Sequence, residues 1–254
     1  MKALFVLTPK ESKRLIAKGI AALPEVKRAS ERGTIIVGWG STCAYVAEEL
    51  LGERIECERY IAGYITGGEL RLSEGEKRMK PVVLKDGRSV DVHPKDALAA
   101  FGRNDVFIKG ANAIDPEGNV GILLQNEFGG TIGTALGILA ARGSHLIIPV
   151  GLEKLIPSVR EASNRCGLET LDYATGRKVG LMPLMYGRAV TEIDALKLLA
   201  DVDVLHIASG GLADSQGAVT LAVSGDEGEV KKAISIIEGV KKAQRLADSD
   251  NSLR

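Results

Sequence analysis

The sequence has no surplus of either charge. Lys and Arg number 33 and Asp and Glu also number 33, so no global field gathers nucleic acid or an anionic membrane surface, and neither is an expected partner. Cysteine is scarce as well. Cys43, Cys57 and Cys166 are odd in number and widely spaced; they form no Cys-x-x-Cys pair and no zinc spacing, which predicts free thiols. His93, His145 and His206 are scattered without metal-ligand spacing, and no metal or cofactor is expected. Long apolar runs are also missing. The stretch from Met1 to Leu7 is broken at Thr8, Pro9 and Lys10, short of a signal h-region, and nothing later approaches the roughly 18 apolar residues of a membrane span. These absences predict a cytoplasmic protein.

What is present is an apolar share of 45% in 254 residues, enough for one large α/β domain, or a domain of about 170–190 residues with a small one attached. Residues 3–7 read as a first strand, followed by a helix from about Glu11 to Ala22 and a short helix opened by Pro24. Thr34-Ile-Ile-Val-Gly38 is short and β-branched, as a buried strand should be. It runs into Gly38-Trp39-Gly40-Ser41-Thr42 and then a helix to about Leu51, with Cys43, Val46, Ala47 and Leu50 on one face. Alternation from Tyr60 to Val90 around Thr66-Gly67-Gly68 and Lys85-Asp86-Gly87 predicts an antiparallel hairpin insertion at about 60–92.

A second unit follows. Val106–Ile108 is a strand ending in Lys109-Gly110-Ala111-Asn112-Ala113-Ile114-Asp115; the turn Pro116-Glu117-Gly118-Asn119 leads to a strand over Val120–Leu124. Gly129-Gly130-Thr131 opens a helix to Ala141 that is apolar nearly all round, predicting burial on every side. A strand over Leu146–Val150 ends in Gly151-Leu152-Glu153-Lys154. This alternation predicts a Rossmann-like, mostly parallel sheet over residues 1–175. A strand near 178–184, a helix at 191–200, strands at 202–208 and 218–223 and a helix at 228–243 predict a small ferredoxin-like α+β module over 176–247. The polar residues 248–254 read as a frayed tail.

Three places could carry chemistry. Gly38, Trp39, Gly40, Ser41 and Thr42 join a buried strand to a helix N-terminus, where free amides and the helix dipole favour an anion; the plainer alternative is a capped turn. Lys109, Gly110, Asn112, Asp115 and Asn119 lie where an open α/β sheet places its ligands. Lys109 suits a phosphate or carboxylate, Asn112 a hydroxyl or carbonyl, and Asp115 or Glu117 a proton; the alternative is an Asp-Pro-Glu-Gly turn with turn duties only. Gly129, Gly130 and Thr131 offer another cluster of amides, preceded by Glu127, a candidate carboxylate nucleophile or simply a solvated loop charge. Glu153 and Lys154 end a core strand at the same edge, either lining the pocket or capping the next element.

The segment GWGSTCAYVAEEL resembles the Gly-x-Gly-Ser-Thr opening of ribose-5-phosphate isomerase type A, whose superfamily includes glucosamine-6-phosphate deaminase and the CoA transferases. IKGANAIDPEGNV followed by GGTIGTAL resembles the corresponding stretch of the methylthioribose-1-phosphate isomerase and initiation-factor-2B group. The likeness covers roughly residues 30–160. It implies a phosphate-binding turn at Gly38–Thr42, an acid/base at Asp115, and a loose counterpart of the CoA-transferase glutamate in Glu127. Asn112 stands where those isomerases have an aspartate, and an amide does not exchange protons at neutral pH. The resemblance implies an enzyme acting on a small anionic metabolite, a sugar phosphate or a thioester with CoA as part of the substrate, by acid/base chemistry in a homo-oligomer. A non-catalytic ligand sensor, or a structural subunit that oligomerises through its C-terminal module, is the alternative.

Overall fold

The computed structural model describes residues 1–251. In chain order the elements are β1 (Lys2–Leu7), α1 (Pro9–Ala22), α2 (Pro24–Arg32), β2 (Thr34–Val37), α3 (Ser41–Leu51), β3 (Gly63–Thr66), β4 (Glu69–Leu72), β5 (Val82–Lys85), β6 (Arg88–Ser89), α4 (Pro94–Ala99) and β7 (Val106–Ile108). They continue with β8 (Ala113–Ile114), β9 (Val120–Leu124), α5 (Gly130–Arg142), β10 (His145–Pro149), α6 (Val159–Ser163), β11 (Gly180–Leu184), β12 (Arg188–Val190), α7 (Glu192–Leu199), β13 (Asp203–Gly210), β14 (Ala218–Ser224) and α8 (Glu227–Asn251).

The chain is mixed α/β, built on a mixed six-stranded sheet of order β12-β10-β7-β2-β5-β6. β12, β10, β7 and β2 are parallel, while β5 and β6 extend the edge antiparallel as the second half of the predicted insertion. Side chains alternate across this sheet. Ile35, Val37, Val106, Ile108 and Ile147 enter one core with α1, α2, α3, α7 and α8. Ile36, Phe107, Leu146 and Ile148 enter a second core with α4, α5 and the small antiparallel sheet β8-β9-β11. Apolar cover on both faces is why these strands read as unbroken apolar runs.

Several elements lie elsewhere than their sequence predicts. β1 does not join the parallel sheet; it pairs antiparallel with β14, forming a separate sheet β1-β14-β13. Its burial alternates along the strand, the pattern of a sheet with one open face, and Leu4, Val6, Leu205 and Ile207 are exposed on that face. Phe5, Leu7, Val204, Val219, Leu221 and Val223 share the first core with β2 and β7, so apolar packing is continuous across the boundary expected at 175–176. β9 pairs with β8 through the tight turn at 115–119, which is too short for a parallel crossover. β11 pairs with β9 rather than with the C-terminal strands, and β12 becomes the edge of the parallel sheet.

α5 buries only Ile132, Ala135 and Leu139 and leaves Gly133, Thr134, Gly137 and Ala140 exposed; its small residues give it one packed face, not burial all round. The predicted tail is helical through Asn251, fixed in part by Asp248 accepting from Lys10 Nζ at 2.7 Å, and residues 252–254 lie outside the described residues. Among the described residues no helix is long and apolar enough to cross a membrane.

α1 is the central helix, packed against α3, α7 and α8. Its start is set locally: Thr8 Oγ1 accepts from the Glu11 amide, the Glu11 carboxylate accepts from the Thr8 amide, and Pro9 takes the first helical position. It crosses α7 tightly, where a Cβ on Gly19 would lie 2.6 Å from Ala195 Cα and Cβ. Gly19→Ala therefore forces the two helices apart, and we expect a loss of about 1–3 kcal/mol in urea denaturation; unchanged stability would mean that this crossing is not tight.

Candidate functional site

Because β2, β7, β10 and β12 are parallel, their carboxyl ends share one edge of the sheet, the usual ligand edge of an α/β protein. Four segments meet there: Gly38–Thr42 after β2, Lys109–Asn112 after β7, Val150–Lys154 after β10, and Thr191–Glu192 after β12. At Gly38–Thr42 the two glycine amides are already used. Gly38 donates to Ile108 O at 2.8 Å and Gly40 donates to Tyr60 O at 2.9 Å, which corrects the expectation that both glycines offer free donors. Tyr60 secures the turn further: its hydroxyl donates to Val37 O at 2.6 Å and accepts from the Val82 amide at 2.8 Å. Gly40 has φ 153°, a conformation that side chains disfavour. It caps α3 without a side-chain hydrogen bond, so the first-turn amides of Ser41, Thr42 and Cys43 have no partner within the helix.

Three lysines gather beside this turn. Lys109 Nζ donates to Trp39 O at 3.1 Å, and its chain passes Gly38, where a Cβ would be 3.1 Å from Lys109 Cδ. Lys154 Nζ donates to Ala111 O at 2.9 Å and lies 4.0 Å from Glu153. Lys13, half-buried on α1, has no hydrogen-bond or ion-pair partner among the described residues. Burial lowers the pKa of Lys109 and of Lys13, and the charge of Lys154 lowers both further. Cys43 Sγ accepts from the Gly110 amide at 3.2 Å, and burial raises its pKa, so it serves as a packed acceptor holding the Lys109–Gly110 turn against α3.

Carboxyl groups close the far side. Thr191 and Asp194 form a capping box at the start of α7, which turns Glu192 inward until it is fully buried. Glu192 Oε2 accepts from the Leu152 amide at 2.9 Å, whereas Oε1 has no partner among the described residues. Burial, reinforced by the charge of Glu153, raises the Glu192 pKa from 4.5 to about 7. Glu153 folds back so far that a Cβ on Gly151 would overlap its Oε2, which is itself buried and unpartnered.

The other sequence-predicted residues serve the fold or stand apart. Asp115 is buried and saturated: its carboxylate accepts from the amides of Glu117, Asn119 and Val159 and from Asn119 Nδ2, at 2.9 to 3.1 Å. Burial pushes its pKa up, but these donors outweigh it and the net shift is down. Asp115 and Asn119 therefore bind the 115–119 turn to α6, and the carboxylate expected to exchange protons is engaged by the fold. Asn112 Oδ1 accepts from the Leu123 amide at 3.0 Å, a strand-pairing role. Its side chain also borders a recess of about 380 Å³ walled by Leu123, Ile156, Arg165, Cys166 and Leu181. Glu127 is exposed on the β9–α5 loop with no side-chain partner among the described residues, away from the four meeting segments. Beside it Asn126 Oδ1 accepts from the amides of Phe128 and Gly130, so Gly129, Gly130 and Thr131 form a side-chain-closed helix start and not an open cradle.

Lys13, Ser12, Tyr60 and Glu192 were missed from sequence. Lys13 had a readable signal, since it falls on the same helical stripe as Ile16, Ala17 and Ile20; Glu192 had one in the Thr191-x-x-Asp194 pattern at a strand end. Asp115→Asn should cost about 1–3 kcal/mol near neutral pH, read by urea denaturation. The folded pKa lies below the unfolded value of about 4, so the carboxylate stabilises above that pH and the benefit fades as pH falls through the folded value. The gap between wild type and variant should accordingly narrow in acid; a constant gap would remove the charged turn as its cause.

Among the described residues no three His, Cys, Asp or Glu side chains are grouped to hold a metal ion. Compared with models of protein families, with curated proteins and with solved structures, the chain matches none.

Proposed function

We propose that this edge binds a small anionic metabolite, a sugar phosphate or an acyl thioester carrying CoA, and that the chain is an enzyme that moves a proton within it. One observation carries the reading: Lys109 and Lys154 act on Cys43 in the open first turn of α3, and Lys13 acts in turn on Lys154, in a chain whose formal charges cancel. Three ammonium groups facing one fully buried and one largely buried carboxyl leave a local excess of positive charge, and the unclaimed amides with the helix dipole favour the same sign of ligand. Lys13 is a further pointer, because a half-buried ammonium with no ion pair among the described residues, and chiefly the field of Glu153 to offset its charge, is favoured by a ligand that supplies negative charge.

The same reading takes the six-stranded sheet as Rossmann-like and β1-β14-β13 with α7 and α8 as a ferredoxin-like module through which copies associate. It keeps the likeness to the sugar-phosphate isomerases and CoA transferases at the level of Gly38–Thr42, and it moves proton transfer from Asp115 to the carboxyls at the Gly151–Glu192 corner. A ligand sensor with the same pocket is the second reading, favoured by the engagement of Asp115 in the fold and by the place of Glu127 on the exposed β9–α5 loop.

Trp39, the only tryptophan, lies within the turn, its Nε1 donating to Met79 O at 2.7 Å and Arg78 stacked 4.8 Å from the ring. Its emission should change saturably on titration with ribose 5-phosphate, CoA or acetyl-CoA, with inorganic phosphate as the minimal anion. Lys109→Met and Lys154→Met should each weaken binding at least about tenfold, equivalent to about 1.4 kcal/mol. A flat response to all four anions would sink the anion site. Binding without exchange of ligand C–H protons for deuterium, followed by NMR, would leave the sensor.

A further inference from the structure

The Gly151–Glu192 corner holds two buried carboxylate oxygens with no donor: Glu153 Oε2 and Glu192 Oε1. An acceptor left unsatisfied in the interior is costly, and two of them belong to side chains that pack on the same Gly151–Glu153 turn. Glu192 Oε2 is tied to the amide of Leu152, the residue preceding Glu153, and Glu153 is folded back onto Gly151, so the two carboxyl groups are held at one short turn. We infer that Glu153 and Glu192 hold a single proton between them and work as one acid/base unit, with Glu153 meeting the ligand and Glu192 acting as the positioning residue behind it. One shared proton gives both orphaned oxygens a partner at once, whereas the Ser12 hydroxyl faces Glu192 alone. Burial, with the charge of Glu153 adding to it, raises Glu192 to about 7, and a like charge acting on a buried carboxyl favours retention of a proton.

The other groups at the corner complete the environment. Ser12 on α1 acts on Glu192 with its hydroxyl, although Oγ makes no hydrogen bond of full geometry. Lys13 on α1 acts electrostatically on Glu153 and on Lys154, and Lys154 Nζ lies 4.0 Å from Glu153. Glu192 is completely buried and cannot reach a ligand, whereas the Glu153 side chain is 15% exposed. The division of labour follows from that difference.

Resting on the anion-binding reading above, the step runs as follows. Glu153 takes a proton from a C–H or O–H bond of the bound ligand, and a new O–H bond forms on the pair, which then holds two protons. The electron pair of the broken bond stays on the ligand, opposite the ammonium groups of Lys13 and Lys154. Return of the proton to a neighbouring ligand atom restores the pair, with no oxidant, reductant or co-reactant. The unit serves isomerisation of a hydroxylated carbonyl compound.

The test is an infrared titration of the full chain, following the carbonyl stretch of a protonated carboxyl with pH. The wild type should lose one such band as pH rises through about 7. Glu192→Gln should lack it. Glu153→Gln should move it to lower pH by at least about one unit, because the amide donates to Glu192 and removes a neighbouring charge. A Glu192 titration unchanged in Glu153→Gln overturns the sharing, as does a band that persists in Glu192→Gln. Circular dichroism checks that both near-isosteric variants fold. Ribose 5-phosphate titration through Trp39 separates the two readings: loss of anion binding in the wild type defeats the proposed function, whereas an intact carboxyl titration in the same sample still upholds the pair.

Discussion

A contact between two small residues sets the geometry on which the site depends. With no side chain at Gly19, α1 lies directly on the backbone of α7 at Ala195, and each helix brings functional groups to the approach. α1 supplies Ser12 and Lys13, and α7 begins at Glu192. The close approach at Ala195 lies one helical turn from Glu192, so it helps to hold Glu192 against Ser12 and out of water. Close packing here selects the protonation state of a buried acid, an effect that propensity and hydrophobic pattern do not register.

How much of this was legible in the sequence differs between fold and site. β2, β7 and β10 were readable because strands covered on both faces carry continuous apolar residues, and the turn after β2 was readable because it needs glycine at a special backbone angle. β1 and β9 were recognised as strands but given the wrong partners. A strand's alternation says that one face is wet; it does not say which sheet receives it. Asp115 was misjudged for a related reason. An aspartate in Asp-Pro-Glu-Gly can serve a ligand or its own backbone, and only coordinates show the four donors already around it. Glu192 was missed because a glutamate in the first turn of a helix usually faces solvent; tertiary packing reversed that tendency.

Electrostatics at the edge is organised by burial more than by charge count. The whole chain is formally neutral, yet Lys13 and Lys109 are shifted down and Glu192 is shifted up. Each shift moves its group toward the uncharged form, as expected where water is thin. A ligand bringing negative charge to the lysines would draw their pKa values back up. On the proposed reading, binding and proton uptake are coupled at this edge by desolvation.

The pairing of β1 with β14 has a consequence for how the chain reaches this arrangement. Residues 2–7 are placed against residues 219–224, so β1 gains its strand hydrogen bonds only from a segment more than 200 residues further along the chain. Contacts this distant along the chain are slow to form. α1 follows β1 directly and carries two residues of the corner, so on a ribosome the parallel sheet can assemble while the pocket stays incomplete. The Gly151–Glu192 corner is therefore completed late, once β1 and β14 have paired and α1 is in place.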